Sequence, residues 1–153
     1  MSDLIYKILK CEKDKDVLLI KNIHNIPEIK KYISINDNYF NYVTTTENVF
    51  FYKVYKERIF VGTINLEKND NIIYMDILIF PEFQKFGLGT KVINDIKDDI
   101  FNLSFKKIKV SVDENNIPSL RLFEKAGFKF VSQEDELKNY EYLKNNKEQV
   151  NNK

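Results

Sequence analysis

Residues 72–90 constrain the fold of this chain more than any other stretch. Ile72-Ile73-Tyr74-Met75-Asp76-Ile77-Leu78-Ile79-Phe80 is a largely apolar run rich in β-branched residues. It is too short to cross a bilayer and has the pattern of a buried strand. Pro81-Glu82-Phe83 follows, and then Gln84-Lys85-Phe86-Gly87-Leu88-Gly89-Thr90 opens a helical pattern with Leu88, Val92, Ile93, Ile96 and Ile100 on one face. A strand, a tight glycine-bearing turn and a helix N-terminus together gather orphan N–H groups where the helix dipole is positive. The spacing therefore predicts a pocket for an anion, most simply a phosphate.

A lone Gly-x-Gly fits several phosphate loops, and local context separates them. A dinucleotide fingerprint needs a third glycine three residues on, where Val92 stands, and an early βαβ unit that is absent here. A P-loop needs Gly-Lys before its Ser or Thr, but Thr90 follows Gly89 directly. A kinase loop lies between two antiparallel strands, whereas this one opens a helix.

The flanking pattern builds a mixed fold. A first strand is expected from Leu4 to Lys10, followed by a short helix capped by Asn25 with Pro27 near its start. His24, beside that cap, reads as a turn residue. A second short helix is expected at Tyr39 to Tyr42. Val49–Tyr55 and Ile59–Leu66 read as strands joined by tight turns, and with Ile72–Phe80 they make an antiparallel meander. After a helix from Gly89 to Ile100, the alternating strand Lys107–Val112 is expected to lie parallel to Ile72–Phe80 through a right-handed crossover. Asn116 caps a second helix with Pro118 in its first turn and Gly127 beyond its end, and Phe128–Ser132 and Asn139–Leu143 close the sheet. The fold class is α+β, with a largely antiparallel sheet, one parallel pair and helices on its faces. Residues 1–143 read as a single domain, and 144–153, without an apolar face, as a flexible tail.

Composition removes other classes. Lysine and arginine number 24 against 23 acidic residues, so no bulk field argues for nucleic acid or an anionic membrane. The lone Cys11 excludes an internal disulfide and, with no signal-peptide pattern after Met1, points to a reducing, cytoplasmic compartment. No Cys/His/Asp/Glu cluster has ligand spacing, so no metal is expected.

Two motifs in this order resemble the GCN5-related N-acetyltransferase (GNAT) superfamily over roughly residues 48–143. The first is Gln84-Lys85-Phe86-Gly87-Leu88-Gly89, the family's coenzyme A signature of Gln or Arg, two residues, Gly, one residue, and Gly or Ala. The second is Asn116, Ser119, Phe123 and Gly127-Phe128 at the family's spacing. The resemblance implies a sheet of six to seven strands whose parallel pair splays apart, and acetyl-CoA as co-substrate. It places the pyrophosphate on the N–H groups from Lys85 to Thr90, with Gly87 and Gly89 allowing close approach. Pantetheine would lie along Ile77, Leu78 and Ile79, with Asn116, Ser119 and Phe123 on its far side. The implied activity is direct acetyl transfer to a small-molecule or peptide amine, and the chain is compatible with a homodimer.

The chain departs from the family in its acid and base. Many members carry Tyr where Phe123 stands, and a phenyl ring cannot protonate the leaving thiolate; either Tyr140, Tyr142 or Tyr74 serves instead, or the thiolate leaves unaided. Acidic bases known in relatives fall on Ile73 and Ser111. Asp76 remains the candidate, although its strand parity opposes that of Ile73 and Ile77. Tyr39 to Tyr42 can wall the acceptor site. The departures also motivate a second reading, a catalytically weak acyl-CoA-binding or regulatory module.

Overall fold

The structure is a computed structural model, and it describes residues 3–144. One sheet of seven strands runs through it, formed by β1 (Leu4–Ile8), β2 (Val49–Lys56), β3 (Ile59–Asn69), β4 (Ile72–Ile79), β5 (Lys107–Asp113), β6 (Lys129–Glu134) and β7 (Leu137–Leu143). Their order across the sheet is β1-β2-β3-β4-β5-β7-β6, antiparallel everywhere except between β4 and β5. The tight turns after Lys56 and Asn69 account for the β2-β3-β4 meander. A crossover through α4 (Leu88–Lys97) makes β5 parallel to β4.

Alternation along the strands divides the apolar side chains between two layers. Ile73 and Met75 of β4, Ile64 and Leu66 of β3, and Ile108, Val110 and Val112 of β5 face one side. There they meet Leu88, Val92, Ile93 and Ile96 of α4 and Leu120 and Phe123 of α5 (Ile117–Lys125). The other side of β2, β3 and β4 is covered by α1 (Val17–His24), α2 (Pro27–Lys30) and α3 (Tyr39–Thr45). Val17, Ile20, Phe40 and Val43 meet Val49 and Phe51, and Ile23 and Ile29 meet Leu78 and Phe80.

Several boundaries differ from the sequence expectation. Helix α1 was not anticipated, although Val17, Ile20 and Ile23 recur at helical spacing and are buried. Its presence displaces Asn25 from the expected N-cap. Asn25 ends α1, its N–H returning to Lys21 and Asn22, and Ile26 precedes α2 instead. Strand β1 stops at Ile8, not Lys10. Helix α4 stops at Lys97, because Asp99 turns left-handed (φ 54°) and its carboxylate takes the N–H groups of Leu103 and Ser104; Ile100 is left exposed. The closing strands are longer and nearer each other than expected. Lys144, first residue of the anticipated tail, donates its N–H to the Lys106 carbonyl, and residues 145–153 lie outside those described. None of the described helices is long and apolar enough to cross a membrane.

Candidate active site

The turn between β4 and α4 has the geometry of an anion cradle. Pro81–Phe83 form one 3₁₀ turn that takes up the Gln84 N–H, and the first intrahelical bond of α4 runs from Lys91 to the Gly87 carbonyl. Between them, from Lys85 to Thr90, no N–H finds a backbone acceptor among the described residues. Lys85 (φ 70°) and Gly87 (φ 80°) both adopt left-handed backbone, which turns successive N–H groups toward one concavity. The Gln84 amide donates to the Ile79 carbonyl at 2.9 Å and ties the loop to the end of β4.

Gly89 has a packing role that the sequence reading did not include. A Cβ there would meet the Leu122 side chain at 3.0 Å, so the missing methyl lets α5 approach the first turn of α4. Gly62 is tighter still: a Cβ would lie 2.4 Å from the Leu78 carbonyl oxygen, which fixes how closely β3 lies against β4.

Strands β4 and β5 pair only at Ile72–Lys107, Ile73–Ile108 and Tyr74–Lys109. Beyond Tyr74 each remains bonded to its outer neighbour, β4 to β3 as far as Ile79 and β5 to β7 as far as Asp113. The two strands therefore splay, leaving a gap that leads away from the glycine loop. The Phe80 N–H is committed to Val61 in β3, and the Asn71 carbonyl accepts from Lys107 in β5. Strand alternation then turns the N–H and C=O groups of Met75, Ile77 and Ile79 toward the gap. Leu78, of the opposite parity, presents its backbone to β3.

On the α1–α3 side the gap opens into a cleft of about 280 Å³, whose lining includes His24, Tyr32, Tyr39, Asn65, Asp76 and Ser111. The parity that set Asp76 apart from Ile73 is what places it here, on the face opposite α4. Water reaches its carboxylate through the mouth of the cleft, yet protein crowds the concave floor around it. That crowding lifts its pKa above the ordinary carboxylate range, and the Glu67 carboxylate adds a smaller push. Burial likewise raises the Tyr39 hydroxyl, with Asp76 and Glu67 adding to it, so this phenol stays protonated. His24 is buried, and burial lowers its pKa, so its ring is held neutral. Tyr42 turns away to donate to Glu67 at 2.7 Å, and Phe40 is core. The Tyr32 hydroxyl reaches the Asn115 carbonyl at 3.2 Å, linking the segment after α2 to the turn before α5.

The remaining sequence candidates lie on the α4–α5 side or near it. Asn116 holds the N-cap position of α5 but makes no side-chain cap bond, so its amide is not consumed by the helix. Ser119 lies in the first turn, half-buried. Phe123 is core, edge-on to Phe128 at 5.3 Å. Tyr140 is also buried, and its hydroxyl donates to Glu124 at 3.2 Å; burial and that bond raise its pKa, which makes it a poorer acid. Tyr142 lies against Phe128 beneath the Lys97 ammonium. Lys85, Phe86 and Thr90 are exposed around the cradle, while Leu88 anchors it in the core.

His24, Tyr32 and Asn65 were not assigned to a site from sequence. A signal existed at Asn65, a lone polar residue between Ile64 and Leu66 in an apolar strand, but alternation alone cannot say what faces it. His24 and Tyr32 reach the cleft only through the packing of α1 and α2.

Comparison with known proteins agrees with this geometry. A family model described as acetyltransferase (GNAT) family matches residues 17–128. No curated protein matches the chain. Among solved structures, a domain from Methanocaldococcus jannaschii superposes with a TM-score of 0.78 at 22% identity, covering 94% of this chain and 99% of that one. Spermidine N-acetyltransferase from Vibrio cholerae, in complex with CoA and spermine, gives 0.75 at 20% identity over 92% and 95% of the two chains. The aminoglycoside acetyltransferase AAC(6')-Ib, in complex with paromomycin and acetyl-CoA, gives 0.75 at 18% identity over 93% and 94%. At such identities the superpositions speak for the fold, and the family model speaks for descent. With its splayed parallel pair, its glycine loop and a family match over well more than half its length, the chain belongs to the GNAT acetyltransferase family.

Proposed function

We propose that residues 1–143 form one acetyl-CoA-dependent N-acetyltransferase domain that passes the acetyl group directly to an amine. One observation carries this reading. The β4–β5 gap joins a row of unpaired N–H groups on one side to a carboxylate-bearing cleft on the other. Relatives of the same fold hold CoA or acetyl-CoA together with an amine-bearing compound.

The residues fit the donor. A diphosphate matches the N–H groups from Lys85 to Thr90, with the Lys85 ammonium and the Thr90 hydroxyl beside them. The amides of pantetheine match the edge at Ile77 and the Ile79 N–H, as an added strand would, the Ile79 carbonyl being held by Gln84. The unspent Asn116 amide and Ser119 hydroxyl flank the same path, with the Phe123 ring closing the core beneath it. The Ile77 N–H then faces the thioester carbonyl and stabilises the oxyanion of the tetrahedral intermediate.

Asp76 acts as the base. An amine of pKa about 10 is only about 0.1% neutral at pH 7, so a proton must be removed before attack. Asp76 takes that proton and releases it to bulk water; the neutral nitrogen then bonds to the carbonyl carbon, its second proton passes to Asp76, and the carbon–sulfur bond breaks with its electron pair on sulfur. Phe123 supplies no proton, and the Tyr140 hydroxyl is engaged with Glu124. The thiolate leaves unprotonated, which a thiol of pKa about 8.5 tolerates.

Thermal unfolding with acetyl-CoA, followed by CoA release across an amine panel, tests the assignment. Stabilisation by acetyl-CoA and amine-dependent release are expected. No shift with any CoA compound overturns it, and binding without release from any amine leaves the acyl-CoA-binding module in its place.

A further inference from the structure

We infer that the amine acceptor is an elongated dication, a molecule with at least one cationic N–H donor besides the reacting amine and with no carboxylate. The inference rests on the acetyl-transfer reading above and deepens it.

The cleft beside Asp76 is half of a longer groove. A second hollow of about 400 Å³ lies over β5, β7 and β6, and the two share Asp76 and Ser111. Asp76 therefore stands at the junction, with room for substrate on both sides of the reacting nitrogen.

Hydroxyl groups line the first half, yet two of its buried polar atoms are left unmet among the described residues. Asn65 Oδ1 and His24 Nδ1 have no partner, and both residues are more than nine-tenths buried. Asn65 is the cross-strand partner of Asp76, which puts the two side chains on one face with Cβ atoms roughly 5 Å apart. A neutral imidazole has one nitrogen that only accepts, and an amide oxygen only accepts. Buried polar atoms are almost always bonded in folded proteins, so two bare ones in one cleft mark partners that arrive with a ligand. A ligand N–H meets the Asn65 oxygen, and it meets His24 Nδ1 as well in the tautomer that carries its proton on Nε2.

The charges point the same way. Lys109 is the single lysine lining the groove, and it already lies 3.6 Å from Glu141, which also holds Lys107 at 3.1 Å. Glu134 of the second hollow takes only the Asn139 amide, at 3.2 Å. Asp76 and Glu134, and Glu67 behind the floor, have no cationic partner within 4 Å among the described residues. No arginine lines either hollow. The groove favours a second ammonium over a carboxylate.

The test is a set of acceptors of one chain length: an alkylamine, the α,ω-diamine and the ω-amino acid. Each is measured by CoA release and by thermal stabilisation of the CoA-loaded protein. The diamine is expected to exceed the alkylamine in kcat/KM on the order of 10²-fold, because the alkylamine leaves the buried acceptors unmet. The amino acid ranks last, and the advantage of the diamine shrinks with salt. Asn65→Leu should cut that advantage to within about tenfold, acetyl-CoA stabilisation being retained as the check of folding. Should that variant not fold, the ranking on the native protein decides alone. Equal behaviour of alkylamine and diamine in both readouts, or a preference for the amino acid, overturns the inference. Absence of any acetyl-CoA shift fails the transfer reading instead, and amine stabilisation of the ligand-free protein then still ranks the three compounds.

Discussion

Asp76 carries the sharpest residue-scale consequences. Its folded pKa is raised, so ionised Asp76 costs stability above that pKa, and the cost vanishes below the unfolded value, where both states are protonated. Asp76→Asn removes the cost, and its melting temperature at neutral pH should exceed that of the native protein. The same substitution should lower kcat/KM by about 10²–10⁴-fold. For the native enzyme, kcat/KM should fall as pH drops through the raised pKa, with an acidic limb above the ordinary carboxylate value of about 4. A profile flat down to that value removes Asp76 from the base role. Tyr140 separates stability from catalysis in the opposite sense. Tyr140→Phe gives up the bond to Glu124 and should cost about 1 kcal/mol in denaturant unfolding while leaving kcat nearly unchanged. A loss of about 10²-fold in kcat would instead make this hydroxyl the thiolate's proton donor.

At the scale of elements, the function depends on two glycines, one set by a close approach of strands and one by its backbone conformation. The contact between β3 and β4 at Gly62 leaves no room for a methyl, and β4 carries the edge assigned to pantetheine. Gly62→Ala should cost about 1–3 kcal/mol by overpacking, measured by chemical denaturation. At the start of α4 the constraint on Gly87 is conformational, since it sits at φ 80°. Gly87→Ala should destabilise the fold by only about 1 kcal/mol, yet weaken acetyl-CoA binding disproportionately in calorimetry as the N–H groups lose alignment. Equal effects of both substitutions on acetyl-CoA affinity would mean that the loop does not hold the diphosphate.

The whole molecule is a sheet opened along one seam, with different helix layers on its two faces. A ligand that bridges the seam binds the folded chain and not the unfolded one. Acetyl-CoA at a hundred times its Kd should therefore add about 2.7 kcal/mol to unfolding. That stabilisation should appear in the protection of β4 and β5 amides by hydrogen exchange. Protection confined to β1 and β2 would place the ligand elsewhere.

Much of this architecture is local and could be read along the chain. Tight polar turns dictate the meander, an intervening helix dictates the parallel pair, and the glycine spacing dictates an anion cradle, because each follows from backbone chemistry within a few residues. The strand run that opened the sequence reading also fixed the parity of Asp76 against Ile73. What parity means depends on what lies over each face, and that is a matter of packing between distant segments. Only the tertiary structure brought His24, Tyr32 and Tyr39 over Asn65 and Asp76, packed Gly89 against Leu122, and bound the Tyr140 hydroxyl to Glu124. The loop side of the site is made of backbone and so is written in sequence, whereas the cleft side is made of side chains from separate elements and exists only once they are packed together.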